Sequence, residues 1–231
     1  MPLLLVVGYG PGNSHAIAHR FGTAGWTIAL VGRTESRLND GVATLAADGV
    51  TAHAFTGDAS SPDSVRATVA RVHDALGPIS SVAFSAYHPV QVGNVLTDAP
   101  ELVEQVFSIG VAGLLTVVQS TLESLRSAEN ASVLVVNGAL GVHDSAIDRY
   151  ATSFGGDGVA LECAAKSKLV GLLAERLRDD GVFVGEVVIN GSIKGSPYAS
   201  PTAIDPADVA ERLWDMSIDR SEVRTFIAET A

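Results

Sequence analysis

Near its start the chain reads Gly8-Tyr9-Gly10-Pro11-Gly12-Asn13-Ser14, between an apolar run at 3–7 and a helical pattern at 16–24. Glycines at this spacing let the backbone turn tightly and approach a ligand, and a helix start adds free N–H groups and a positive end. That is the chemistry that holds a pyrophosphate. Ser14 stands where a third glycine would allow the closest helix–strand packing, and its small side chain suits the place. Glycine spacing alone is compatible with a tight turn that holds nothing; its place between strand and helix points to a dinucleotide. The next apolar run ends Leu30-Val31-Gly32-Arg33-Thr34. No carboxylate stands there to take a ribose 2′-hydroxyl, whereas Arg33 and Arg37 suit a 2′-phosphate. NADP is therefore favoured over NAD, the other reading being that both arginines are solvated charges around Glu35.

Further along, Glu162 and Lys166 lie four residues apart on one helical face, acid first. They are the candidate catalytic pair; the plainer reading is an intrahelical ion pair with no part in chemistry. Tyr87, His88, His143 and Tyr150 are alternative proton donors, each more readily a substrate-loop or packing residue. His143, Asp144 and Asp148 share one loop, but nothing distant completes a ligand set, so no metal is expected. Cys163, the single cysteine, sits mid-helix between Glu162 and Ala164 and reads as a packed, inert thiol.

The elements that must position these residues alternate regularly. Strands are expected at 3–7, 27–31, 50–55, 79–84, 132–136, 183–189 and 225–228, and helices at 16–24, 36–47, 62–76, 100–124, 159–178 and from 206. Ser61 can cap the third helix, with Pro62 at its first position. Such alternation calls for right-handed crossovers, hence a Rossmann-type, doubly wound, three-layer α/β/α sandwich with a mostly parallel sheet. With 231 residues and no linker or repeat, residues 1–231 form one domain. The irregular stretches 86–99, 138–158 and 190–204 follow strands four, five and six, at the carboxyl edge where such sheets bind ligands. Apolar residues are 47% of the chain and charged residues 18%, which excludes a disordered chain. Lys+Arg 15 against Asp+Glu 26 gives −11, which argues against a nucleic-acid binder. No apolar stretch approaches the roughly 18 residues that span a bilayer. Together these point to a cytoplasmic globular protein with no membrane attachment.

The chain resembles the short-chain dehydrogenase/reductase superfamily over nearly its whole length. The glycine turn followed by Ala16-Ile17-Ala18 matches that family's first motif. Thr56-Gly57-Asp58-Ala59 resembles its adenine-contacting turn, and Phe84-Ser85-Ala86-Tyr87 falls at its Asn-Asn-Ala-Gly motif, keeping the alanine. Lys166 matches the lysine of Tyr-x-x-x-Lys, and Ile189-Asn190-Gly191-Ser192-Ile193 resembles its Pro-Gly-x-Ile segment. The resemblance implies cofactor contacts at Gly8, Gly10, Gly12, Asn13, Ser14, Arg33, Asp58, Ala59, Ala86, Lys166 and Ile193. It implies hydride transfer between NAD(P) and a small carbonyl or hydroxyl substrate.

The family's catalytic pattern is broken. Glu162 stands at the tyrosine position, Val136-Asn137-Gly138-Ala139 carries no serine, and Gly110 falls where asparagine is expected. An ordinary Glu titrates at roughly 4.3 and Tyr at about 10, so the replacement exchanges an acid for a base. The alternative is thus an inactive NADP-binding or ligand-sensing scaffold or partner subunit. The resemblance further implies a homodimer or homotetramer through helices 100–124 and 159–178.

Overall fold

The computed structural model describes residues 1–87 and 92–229. Strands β1 (Leu3–Val7), β2 (Thr27–Gly32), β3 (Ala52–Thr56), β4 (Ser81–Phe84), β5 (Ser132–Gly138), β6 (Phe183–Asn190) and β7 (Arg224–Ala228) form one sheet in the order β3-β2-β1-β4-β5-β6-β7. All six pairings are parallel. The helices are α1 (Asn13–Thr23), α2 (Glu35–Ala47), α3 (Pro62–Leu76), α4 (Pro100–Phe107), α5 (Leu114–Ser127), α6 (Ser145–Ser153), α7 (Asp157–Leu177) and α8 (Pro206–Asp219).

A central parallel sheet must be covered on both faces, and β1 shows how five apolar residues in a row achieve this. Leu3, Leu5 and Val7 enter the core beneath α3, α5 and α7, while Leu4 and Val6 enter the opposite core beneath α1, α2 and α8. In that second core Phe21 is fully buried, with the rings of Trp26 and Trp214 edge-on at 5.4 and 4.9 Å. Strand order reverses between β1 and β4, so the crevice outside their carboxyl ends is the topological switch point. Ser61 caps α3 by accepting from Ser64 N at 3.3 Å, with Pro62 at the first position.

Three expectations need correction. The helix expected over 100–124 runs on to Ser127 and is interrupted by a π-helical turn, Ser108–Gly113. Taken together, Pro100–Ser127 spans 28 residues and is long and apolar enough to cross a membrane by length and composition, so a stretch of that kind does exist. Its side chains Ile109, Leu114, Val117, Val118 and Leu125 are spent on the core beneath the sheet. Finally, the segment 138–158 is not irregular throughout: a 3-10 turn, Ala139–Gly141, precedes α6. Asp144, weighed above for a metal loop, caps that helix by accepting from Ala146 N at 2.7 Å and Ile147 N at 3.4 Å.

Candidate active site

The glycine turn is built by close approach. Gly8 has φ +87°, and a Cβ there would strike the Ala86 backbone and lie 2.6 Å from Ala86 Cβ. Only glycine accepts both the left-handed φ and the contact. Ala86, two residues past β4, thus walls the turn. Gly8 N and Tyr9 N both donate to Val31 O, at 3.0 and 2.9 Å, so those N–H groups are already used. Gly10 N donates to Ser14 Oγ at 2.8 Å, and Ser14 Oγ donates to Gly10 O at 3.0 Å. Ser14, buried at the start of α1, is therefore a tie across the turn and not a bare substitute for glycine. Helix α1 begins at Asn13, three residues earlier than expected, which places the first N–H groups of the helix, those of Asn13 and Ser14, directly after Gly12. Space above Gly10 and Gly12 is open, for a Cβ on either meets nothing within 4 Å. Asn13 Oδ1 is buried without a hydrogen-bond partner among the described residues. An open cradle at a helix start, with an unsatisfied buried acceptor beside it, fits a dinucleotide with its diphosphate and hydroxyls.

Tyr9 leaves the turn sideways. Its ring fills the gap over Gly41, and its hydroxyl lies 2.9 Å from His15 Nδ1. Burial, with Asp40 adding to it, raises the phenol above its usual range, and burial lowers His15. Arg33 and Arg37 are exposed just past β2. Beyond β2, just after β3, Asp58 Oδ1 accepts from Ser60 N at 2.9 Å and Ser60 Oγ at 2.7 Å. The following Ala59 carbonyl packs on Gly113, the last residue of the π turn.

Across the switch point, α7 places Glu162 and Lys166 on its inward face, where they are 2% and 3% exposed. A Cβ on Gly110 would collide with Glu162 Oε1 and lie 2.7 Å from its Cγ and 2.9 Å from its Cδ. The Glu162 carboxyl thus occupies the volume that any side chain at position 110 would need, so the two positions form one packing unit. Asn137, at the end of β5, donates to Cys163 O at 3.0 Å and to Glu186 Oε2 at 2.8 Å, pinning α7 to the sheet one residue from Glu162. Glu186 is fully buried and also accepts from Ser167 Oγ at 2.5 Å and Arg224 Nε at 2.6 Å. Burial pushes the Cys163 thiol up, against the opposing pull of Lys166, which suits a packing role.

Of the alternative proton donors, Tyr87 is exposed, Tyr150 is exposed with its ring edge-on to Phe154 at 5.2 Å between centroids, and His88 lies outside the described residues. Ile193 stands at the start of the loop after β6, bridged to Ile204.

Residues 3–168 match the short chain dehydrogenase family profile. The chain belongs to the short chain dehydrogenase family. A curated relative, a short chain dehydrogenase of Pseudocercospora fijiensis, is 27% identical over 208 residues; the match covers 88% of this chain but 63% of that protein. Among solved structures, a metagenomic short-chain oxidoreductase in complex with NADP superposes with TM-score 0.83 at 18% identity, covering 100% of this chain and 98% of that one. An NADPH-bound short chain oxidoreductase from Pseudomonas aeruginosa PAO1, described as containing an atypical catalytic center, gives 0.84 at 18% identity, with 98% and 95% covered. A 3-ketoacyl-ACP reductase from Sinorhizobium meliloti 1021 gives 0.85 at 19% identity, with 99% and 98% covered. At these identities the structures establish the short chain dehydrogenase fold.

Sequence reasoning missed the π turn, the Glu186 network and a carboxylate after β7, Glu229, that accepts hydrogen bonds from the loop carrying Ile193. An acid inside the apolar run of β6 was a signal for the second of these.

Proposed function

We propose that this short chain dehydrogenase is an NADP-dependent oxidoreductase acting on a small carbonyl or hydroxyl substrate, with Glu162 serving where the family has tyrosine. The observation that carries the reading is the open cradle over Gly10 and Gly12 at the start of α1, walled by Ala86. Gly12, Asn13 and Ser14 at the helix start would hold the diphosphate, with Gly8 and Gly10 letting the backbone turn and approach it, Arg33 would hold the 2′-phosphate, and Asp58 and Ala59 the adenine. Lys166 would hold the nicotinamide ribose, and the Ile193 backbone the carboxamide. When bound, the nicotinamide supplies or takes up a hydride. The protein's part is to exclude water, orient the substrate and move one proton. In its carboxylate form Glu162 suits removal of a hydroxyl proton as an alcohol is oxidised.

A second reading, an inactive NADP-binding or ligand-sensing subunit, draws support from the burial of Glu162 against Gly110. Turnover with panels of alcohols and carbonyls, using NADP and NADPH, separates the two. Alcohol oxidation that Glu162→Gln abolishes supports the first reading. Cofactor binding without any turnover supports the second, and a gain of ketone reduction in Glu162→Tyr would show that only the acid was missing. For assembly we propose a homodimer or homotetramer through the α4–α5 and α7 helices, in keeping with Leu161 and Leu172, 36% and 53% exposed on α7. A cytoplasmic setting accords with the one buried, unpaired cysteine.

A further inference from the structure

The loop between β6 and α8, residues 191–205, leaves the carboxyl edge of the sheet beside the end of β5. It is closed at its neck: Lys194 N donates to Ile204 O and Ile204 N donates to Ser192 O, both at 2.9 Å. Inside this closure a single carboxylate from another element collects the loop's donors. Glu229 follows β7 directly. Its Oε1 accepts from Ser192 N and Ser192 Oγ, both at 2.6 Å, and its Oε2 accepts from Ser200 Oγ at 2.9 Å and Thr202 Oγ1 at 3.0 Å. The Ser192 hydroxyl accepts in turn from Ser200 N at 2.9 Å. Gly191, at φ +149°, makes room: a Cβ there would lie 2.5 Å from Glu229 Cγ. The donors from Ser192 come first among the causes that pull the Glu229 carboxyl down to about 2.

Charge-assisted hydrogen bonds of this kind are roughly twice as strong as neutral ones. All of these donors belong to one loop, and the acceptor sits on the neighbouring edge strand, so the carboxylate's effect is to fix the loop and not to stabilise β7. We propose that Glu229 is a clasp that sets the loop carrying Ile193 over the nicotinamide end of the site, a positioning residue for cofactor binding. This role rests on the NADP reading above; the clasp itself does not. Without it the loop samples open forms, and apparent cofactor affinity falls by the fraction of time the loop is out of place.

Lys194 lies within the loop, its side chain 69% exposed and paired with Asp205 at 3.2 Å, so trypsin reports the loop's opening directly. The test compares wild type, Glu229→Ala, and the double variant Ser200→Ala/Thr202→Val, which keeps the carboxylate and removes two donors. Readouts are the rate of cutting after Lys194, followed by mass spectrometry, and the NADPH dissociation constant by calorimetry. Both variants are expected to be cut at least about tenfold faster and to bind NADPH about tenfold more weakly. Cutting unchanged in both variants overturns the clasp. Faster cutting with unchanged NADPH affinity overturns the positioning role. If wild type binds no NADPH while cutting still depends on Glu229, the cofactor reading and the positioning role fall and the clasp stands.

Discussion

Replacing Gly110 by alanine should be costly in the wild-type protein and harmless, or favourable, once Glu162 is shortened. A Cβ at position 110 would lie 2.7 Å from Glu162 Cγ and 2.9 Å from Cδ, against an ordinary contact of 3.4 Å or more. The carboxyl group must therefore retreat by about 0.7 Å at Cγ and further at Oε1, in surroundings that leave Glu162 2% exposed. Overpacking of this kind costs about 1–3 kcal/mol. In Glu162→Ala the same methyl enters the space that the carboxyl vacated, so its penalty vanishes. The cycle of wild type, Gly110→Ala, Glu162→Ala and the double variant should show a coupling of about 1–3 kcal/mol in the stabilising direction, read by urea unfolding at pH 7. Additivity within about 0.5 kcal/mol would refute the claim that these positions share one volume. It would also remove the reason for treating Glu162 and Gly110 as a single unit.

Gly8→Ala must adopt φ +87° and meet Ala86, so a loss of about 2–5 kcal/mol of stability is expected by urea unfolding, with cofactor binding lost as well. A variant as stable as wild type would deny the close approach. Arg33→Ala should weaken NADPH at least about tenfold and leave NADH unchanged, since one charged hydrogen bond to a phosphate is worth about 1.5–3 kcal/mol; equal losses for both cofactors would remove Arg33 from the 2′-phosphate. The Glu229 carboxyl falls from 4.5 to about 2 on folding, so its contribution to stability is fully present above 4.5 and is lost as pH drops towards 2. The destabilisation of Glu229→Gln relative to wild type should accordingly shrink from pH 5 to pH 2.5, and a constant difference would contradict the clasp geometry.

The β-α alternation and the glycine turn were legible because they are local. Leu3–Val7 is apolar on both faces because both faces are covered, and Gly8 to Gly12 stand between a strand and a helix start. The π turn was not legible, because Ser108–Gly113 continues the apolar helical pattern of its neighbours. Its glycines are explained only by distant partners, Glu162 against Gly110 and Ala59 against Gly113. Helix α6 did carry local marks: Asp144 stands at the cap, and Ile147 and Ala151 are four residues apart, but the segment is short and mostly exposed. Nothing near Glu229 in sequence announces its donors, which lie 27 to 37 residues earlier. The spacing of Glu162 and Lys166 did put them on one face of α7, and that face is buried, yet the fit of Glu162 to Gly110 belongs to tertiary packing that spacing along a helix does not report.

The central claim is that the turn from Gly8 to Ser14, with Arg33 beyond it, is a working NADP site. Calorimetric titration of the purified protein with NADPH, and in parallel with NADH, tests this most directly. Micromolar binding of NADPH with clearly weaker NADH is the predicted result. Heat from neither cofactor at millimolar concentration would contradict it and leave a short chain dehydrogenase fold whose glycine turn holds no dinucleotide.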